Sequence, residues 1–406
     1  MDLMEKELFP VVLCLTFLLL VCGKRNTFSM EKELLVEDKL KLLNRPSVKT
    51  IQSEDGDIID CVDIYKQPAF DHPLLRNHII EMRPGDENET SQATASMPFQ
   101  VWQNSGSCPE GTIPILRVQR HHLLNAPSLE GYGRKSWHGI TNQKVYSFTV
   151  GVPNQHAHCV LVGGDFQYNG LKANLNIWNP LVEYDDEFTT SQIWLKNGND
   201  SSFDSIEAGW TVNPSLYGDR RTRFFVYWTA DSGRTTGCFN LLCSGFVQTT
   251  PLLALGSSFI NTSMYYSAQF QMSLTIEKDA YDQNWWLTYG DNLKVGYWPH
   301  SLFNMLEEVA SQAWFGGDVY SPRLRIKPHT ETDMGSGMFS SFHWSVASWI
   351  SNPSLKDYNT NEYLYPNPNA VFCSQKDCYS GEHYANNYNE EPLFYFGGPG
   401  RNLFCE

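Results

Sequence analysis

From Val145 to the C-terminus the chain repeats one signal, a short run of β-branched and aromatic residues closed by Gly, Pro, Asn or Asp. The runs are VYSFTVGV, HCVLVGGDFQY, SQIWLKNG, SIEAGWTV, RTRFFVYWT, YYSAQFQMSLTIEKD, NWWLTYG, LKVGYWP, FGGDVYS, GMFSSFHW and LFYFGG. Such side chains fit a pleated, half-buried surface, and the residues between them are those that turns require. So many short strands at short spacing predict an all-β domain, an antiparallel β-sandwich of two stacked sheets. In this region only Ser301 to Gln312 has a helical pattern. An aromatic content of 14%, with 29 Gly and 21 Pro, argues the same way.

The N-terminal part reads differently. Ser29 can cap a helix from Met30 to Leu43, with Glu31 and Glu33 in its first turn, an apolar stripe of Val36, Leu40 and Leu43, and Pro46 as its stop. KTIQS and IIDCVDI flank Glu54-Asp55-Gly56-Asp57 and predict a hairpin. Gly85 to Met97 is polar and reads as a flexible loop, and Arg117 to Lys135 (RVQRHH…EGYGRK) reads as a basic, exposed junction open to proteolysis. A small α+β segment, 24–140, therefore precedes the sandwich, 141–406.

Ahead of both lies one apolar run, Phe9 to Cys22, of 14 residues. It is shorter than the roughly 20 residues a membrane span needs and matches the core of a signal peptide over 1–23, although Asp2, Glu5 and Glu7 outnumber Lys6 before it. Export is expected, with no membrane attachment once the signal is removed. Thirty basic against 45 acidic residues give a formal charge of −15, which argues against a nucleic-acid partner. Cys14 and Cys22 leave with the signal, and the remaining eight cysteines suit disulfides in an exported chain. Sequons at Asn88, Asn199 and Asn261 agree with export.

Glu207 stands out for chemistry, because Ile206, Ala208 and Trp210 surround it and a carboxylate there is costly to ionise unless it is paired or hydrogen-bonded. Cys238 and Cys243 bracket a four-residue loop that a disulfide can close. Cys61 and Cys108 lie together in the N-terminal segment, where they can pair, and Cys159 and Cys373 are left either joined or free. No CxxC pair supports zinc, and His156 and His158 share a strand face with no evident third ligand, so no metal or organic cofactor is expected. Asp231-Ser232-Gly233 occurs once, between strand signals, and reads as a turn; Gly397-Gly398-Pro399-Gly400 lacks the Lys-Ser/Thr of a phosphate loop.

SIEAGWTVNPSLYGD, with KTIQSEDGDIIDCVDIYKQPAFDHPLLRNH, SGSCPEGTIPI, NWWL, VGYWP, GGDVYS and FGGPGRNLFC, closely resembles the neprosin family of secreted glutamic endopeptidases, from about residue 30 to the C-terminus. The resemblance implies a β-sandwich with a cleft across one face, an N-terminal activation segment that is removed, and cleavage at proline. It implies that Glu207 is catalytic, that Trp210 and Tyr217, in the same motif, line the substrate pocket, and that Cys378 pairs with Cys405. Such an enzyme needs two facing carboxylates, one ionised and one protonated, which predicts activity at acid pH. The second acid of the family is the Glu of Trp-Gly-Gly-Glu; here the segment is Trp314-Phe315-Gly316-Gly317-Asp318. Asp318 keeps the charge but withdraws it by one methylene, about 1.5 Å.

The expected partners are a proline-rich peptide or protein substrate and the chain's own propeptide. Two other functions fit the residues: a sandwich that binds peptide or cell-wall glycan with catalysis lost through the Asp, and a glycoside hydrolase using paired acids in an aromatic cleft. Trp194, Trp228 and Trp298 are further candidates for pocket walls, though most aromatics in a sandwich fill its core.

Overall fold

The structure, a computed structural model, describes residues 33–85, 100–135, 155–163, 166–199, 201–324, 326–367, 369–384 and 393–406. The expected signal peptide, the strand VYSFTVGV, the sequon at Asn88 and nearly all of the loop from Gly85 to Met97 lie outside these residues.

Helix α1 covers residues 33–43 and buries Val36, with Leu40 and Leu43 packed on the same cluster. The hairpin forms as β1 (Lys49–Gln52) and β2 (Ile58–Asp63), and β3 (Thr112–Leu116) adds a third strand. A disulfide between Cys61 and Cys108 staples this unit. Helix α2 (Arg120–Asn125) follows, and Arg120 reaches Glu33 and Glu37 of α1.

Two antiparallel sheets make up the sandwich. One is six-stranded, ordered β16 (Val371–Cys373), β4 (His156–Val162), β13 (Gln312–Tyr320), β6 (Phe188–Asn199), β7 (Ser202–Val212) and β8 (Arg223–Thr229). The other runs β17 (Ser380–Tyr384), β18 (Leu393–Gly397), β14 (Ser348–Asp357), β5 (Tyr168–Asn176), β10 (Gln271–Lys278), β11 (Trp285–Tyr289), β12 (Leu293–Trp298) and β9 (Val247–Gln248), with β15 (Tyr363–Leu364) beside β14. Strand alternation sorts each sheet into two faces. On the six-stranded sheet the row Phe315, Ile193, Ala208, Val226 faces the other sheet and its apolar core. Residues one step away in each strand face outward, under the N-terminal segment.

Two sequence expectations are corrected, and one strand is added. Ser301 to Gln312 is not a helix: a single turn at His300–Leu302 gives way to bends before β13. The buried Asp204 carboxylate explains this, since Oδ2 accepts the backbone N–H groups of Asn304, Met305 and Leu306 at 2.8, 2.6 and 3.1 Å. A carboxylate supplied by β7 thus takes up the donors that a helix would have used internally. GMFSSFHW is a turn rather than a strand, with His343 and Ser345 at φ 54° and 61°. The stretch SWISNPSLKD, absent from the strand signals, forms β14 with an irregularity between Ser351 and Ser354 that accommodates Pro353.

The N-terminal unit docks on the sandwich through buried polar contacts. Asp57 and Arg223 form a bidentate pair at 2.7 and 2.9 Å, and Gln67 and Gln248 bond reciprocally. Arg117 to Lys135 is anchored rather than loose, with His122, Leu123, Tyr132 and Lys135 buried while His121, Leu124, Glu130 and Arg134 stay exposed as expected. The sequence reading misses the burial of His122 and Lys135 because basic residues ordinarily stay in water.

Candidate active site

Pairing across the six-stranded sheet builds the outward face row by row. Trp314, Trp194, Glu207 and Tyr227 lie opposite one another on β13, β6, β7 and β8. The next row is Gly316, Gln192, Gly209 and Phe225, and beyond it stand His158, Asp318, Thr190 and Thr211. Glu207 and Asp318 thus share one face, and the row between them has glycines on both sides of Gln192. A Cβ at Gly209 would lie 2.1 Å from the Ser191 carbonyl oxygen, and one at Gly316 would lie 2.1 Å from that of Cys159. Bare backbone is required at both positions, so the strip between the two acids is narrow and nearly free of side chains.

Each carboxylate has its own partners. Glu207 accepts from Ser205 Oγ at 3.0 Å through Oε1 and from Gln192 Nε2 at 2.5 Å through Oε2. Asp318 has His156 Nδ1 3.0 Å from both of its oxygens, and His158 Nδ1 lies 3.3 Å from Oδ1. The two sites are joined by Lys135 of the N-terminal unit, whose Nζ bonds Glu207 Oε2 and lies 4.0 Å from Asp318 Oδ2. All three charged side chains are fully buried.

The ammonium also sits among four rings, 5.9 Å from the centre of Phe188, 5.6 Å from Phe225, 5.0 Å from Tyr227 and 5.6 Å from Phe239. An aromatic face attracts a cation at these distances, and more strongly where water is excluded. Burial alone would push the Asp318 carboxyl upward; the charges of His156 and His158, the His156 hydrogen bond and Lys135 overcome it and hold the group well below the usual carboxylate range. Burial pushes His158 down to about 4, against the pull of Asp318 and with help from His156, Lys135 and Lys196.

Other sequence candidates lie elsewhere. Trp210 is in the core between the sheets, on the opposite face from Glu207, with its Nε1 donating to the Asn176 carbonyl. Tyr217, on the one-turn helix α3 (Pro214–Tyr217), is buried beneath the N-terminal unit, bonded to Asn240 and facing Arg223. The structure brings neither to the carboxylates. Trp228 and Trp298 fill the core, whereas Trp194 stands beside Glu207 on the outward face. The sulfurs of Cys238 and Cys243, Cys378 and Cys405, and Cys159 and Cys373 are joined.

The sequence pattern described as Neprosin matches residues 185–399, and that described as Neprosin activation peptide matches residues 50–162. The chain belongs to the neprosin family. Its neprosin domain holds Glu207 and Asp318, and its activation-peptide stretch holds Lys135 and both histidines. Among solved structures, it is similar to scytalido-glutamic peptidase with a transition state analog inhibitor, at 10% identity and a TM-score of 0.30 over 59% of this chain and 96% of that one. It is similar also to SCP-B, a member of the Eqolisin family of peptidases in complex with the tripeptide Ala-Ile-His, at 8% identity and a TM-score of 0.28 over 59% and 96% of the two chains. Chicken Galectin 2 matches at 7% identity and a TM-score of 0.22, over 40% of this chain and 92% of the other. Neprosin membership together with an activation peptide supports a peptidase.

Sequence reasoning missed Lys135, Gln192, Ser205 and the four-ring cage. It read His156 and His158 as strand neighbours without seeing that both turn to Asp318. The i, i+2 spacing of the histidines was the available signal; register across β4 and β13 was needed to use it.

Proposed function

We propose that this protein is the secreted zymogen of a glutamic-type endopeptidase that cleaves proline-containing peptides at acid pH, with Glu207 and Asp318 as its carboxylate pair. The observation that supports this most is the shared ammonium. Two fully buried carboxylates from β7 and β13 converge on Lys135 Nζ, and the lysine comes from the activation-peptide stretch. With the lysine in place neither acid can reach water or a peptide carbonyl; the zymogen is silent by occupancy of its own site.

Release then needs a cut between the described end of the N-terminal unit at Lys135 and the first residue of β4, His156, because β4 is an interior strand of the sheet. A boundary near residue 140 between the 24–140 propeptide and the 141–406 catalytic domain falls in that interval. Once Lys135 leaves, Phe188, Phe225, Tyr227 and Phe239 frame an apolar notch beside Glu207, of a chemistry that suits a proline ring. Two carboxylates sharing such a site retain one proton at acid pH, as the two-acid mechanism requires.

Four disulfides fit an oxidising compartment, among the described residues no helix is long and apolar enough to cross a membrane, and the sequon residues Asn199 and Asn261 are exposed. These features support export through a signal peptide at 1–23 and glycosylation. The test is incubation of the full chain at acid pH with a proline-rich peptide, with both the chain and the peptide products read by mass spectrometry. Chain shortening between residues 135 and 156 and peptide cuts next to proline are expected. A shortened, folded chain that leaves the peptide intact would overturn the reading in favour of a binding protein.

A further inference from the structure

The two acids are not equivalent. Asp318 is held by imidazoles on the β4 side: His156 Nδ1 is 3.0 Å from each carboxylate oxygen, and His158 Nδ1 is 3.3 Å from one of them. Both rings are themselves fixed, His156 against Phe188 and Tyr320, with centroids 5.9 and 5.1 Å away, and His158 against Trp194 and Trp314 at 6.3 and 6.1 Å. Apart from Lys135, the hydrogen-bond partners shown for Glu207 are the uncharged Ser205 and Gln192. Every group on β4 that faces Asp318 can bear positive charge; those bonding Glu207 from β6 and β7 cannot.

We propose that His156 and His158 are positioning residues that hold Asp318 as the carboxylate of the pair, so that Asp318 is the base and Glu207 the acid. This rests on the peptidase reading above and assigns its roles. The contrast survives maturation, because the histidines belong to a strand of the sheet while the lysine departs with the propeptide. Among the described residues, the charged and titratable groups around Asp318 are His156 and His158 on β4, Lys135 of the N-terminal unit, and, beyond that ammonium, Glu207 on β7; the phenol of Tyr379 is also within its field. Among the described residues, removing Lys135 leaves Asp318 with two potential cations and Glu207 with none bonded to it.

The reaction balances on these two groups. Asp318 takes a proton from water as the water oxygen bonds to the peptide carbonyl carbon, and Glu207 gives its proton to the carbonyl oxygen, leaving a neutral diol. The C–N bond then breaks, the proton on Asp318 passes to the leaving nitrogen, and Glu207 regains a proton from the diol hydroxyl as the carboxylic acid forms.

The acid limb of kcat/KM should follow the ionisation of Asp318, so loss of an imidazole should move that limb to higher pH. The experiment compares acid-matured wild type, His156→Phe, His156→Asn and His158→Gln on a proline peptide, with thermal unfolding as the folding control. His156→Phe should shift the limb up by one pH unit or more, costing about tenfold in rate on the acid side. His156→Asn, which can place an amide N–H where Nδ1 stands, should shift it less. A uniform fall at every pH, with the limb in place, would show a purely structural role and overturn the proposal; His158→Gln provides the same reading if His156→Phe does not fold. Roles are separated by an activated ester of the same peptide, whose more electrophilic carbonyl carbon depends less on protonation of its oxygen while water still needs a base. Glu207→Gln should recover activity on the ester and Asp318→Asn should not. The reverse pattern in an active wild type would overturn the assignment alone, whereas a wild type inert on both substrates would remove the peptidase reading and this assignment together.

Discussion

The Lys135 ammonium and the Glu207 carboxylate meet across 72 residues of chain, and neither side chain has any solvent exposure. Two buried charges are tolerated only while each has the other, and removing one partner of such a pair costs about 3–5 kcal/mol. The pair fixes the last described residues of the N-terminal unit onto the sandwich, and on the proposed function it also silences the site.

Replacing Lys135 with Met, which fills similar space without charge, should loosen that docking. Full-length Lys135→Met is expected to show proline-peptide cleavage before any chain shortening, and to shorten faster at acid pH than wild type. Time courses of both, read on the same samples, decide the point. Unprocessed Lys135→Met as silent as wild type, with an unchanged shortening rate, would place latency elsewhere in the N-terminal unit.

The Cys159–Cys373 disulfide joins β4 to β16 directly across the register and spans 214 residues of chain. Closing a loop of that size restricts the unfolded chain, and its loss should cost about 3–5 kcal/mol. The strand it tethers carries His156 and His158. The double variant Cys159→Ala/Cys373→Ala should accordingly unfold at lower denaturant concentration, with its activity falling before global unfolding. Equal unfolding midpoints for the variant and wild type would contradict this.

How legible these features were in the sequence follows their range. Period-two alternation in SIEAGWTV and FGGDVYS already places Glu207 and Asp318 on defined strand faces, and short apolar runs between turn residues give the sandwich. The segment 301–312 reads as helix because its apolar spacing is local, while the Asp204 carboxylate that unwinds it lies a hundred residues earlier. Lys135 was unreadable for the same reason. A lysine ending a Gly-containing basic stretch looks solvated until a carboxylate on another element and four rings from β6, β8 and the loop after β8 are gathered round it. Trp210 is the opposite case: three steps along the strand already put it on the face opposite Glu207, and sharing the motif did not bring it to the carboxylates.

Asp333 gives a pH prediction. Its carboxylate accepts the Leu181 backbone N–H at 3.0 Å, yet burial, with Glu331 nearby, raises it to about 6. A group whose folded value lies above its unfolded one, about 3.9, stabilises the fold fully below that unfolded value, and the benefit is lost as pH rises through about 6. Asp333→Asn should therefore be more stable than wild type near pH 7, by about 3 kcal/mol, with the difference shrinking toward pH 4. Urea midpoints of both proteins at the two pH values test it; a variant that loses stability near pH 7 would show that the ionised carboxylate is needed by its neighbours.

The last prediction concerns the carboxylates themselves. If both handle protons, removing either charge abolishes a step that needs two groups, and Glu207→Gln and Asp318→Asn should each lose nearly all activity while staying folded. Asp318→Glu is the sharper variant. The added methylene lengthens the side chain by about 1.5 Å, and the expected outcome is a carboxylate moved toward Glu207 and off His156 Nδ1. Closer approach to the partner acid should raise kcat on a proline peptide, while the weakened contact with His156 should move the acid limb to higher pH. Both shifts can be read from one set of pH–rate profiles on matured protein, since a covering propeptide would mimic inactivity. Equal cleavage by wild type and Asp318→Asn would mean that another acid serves the site. If wild type and Asp318→Glu are both inert though folded and matured, the outward face of this sheet binds its ligand without cutting it.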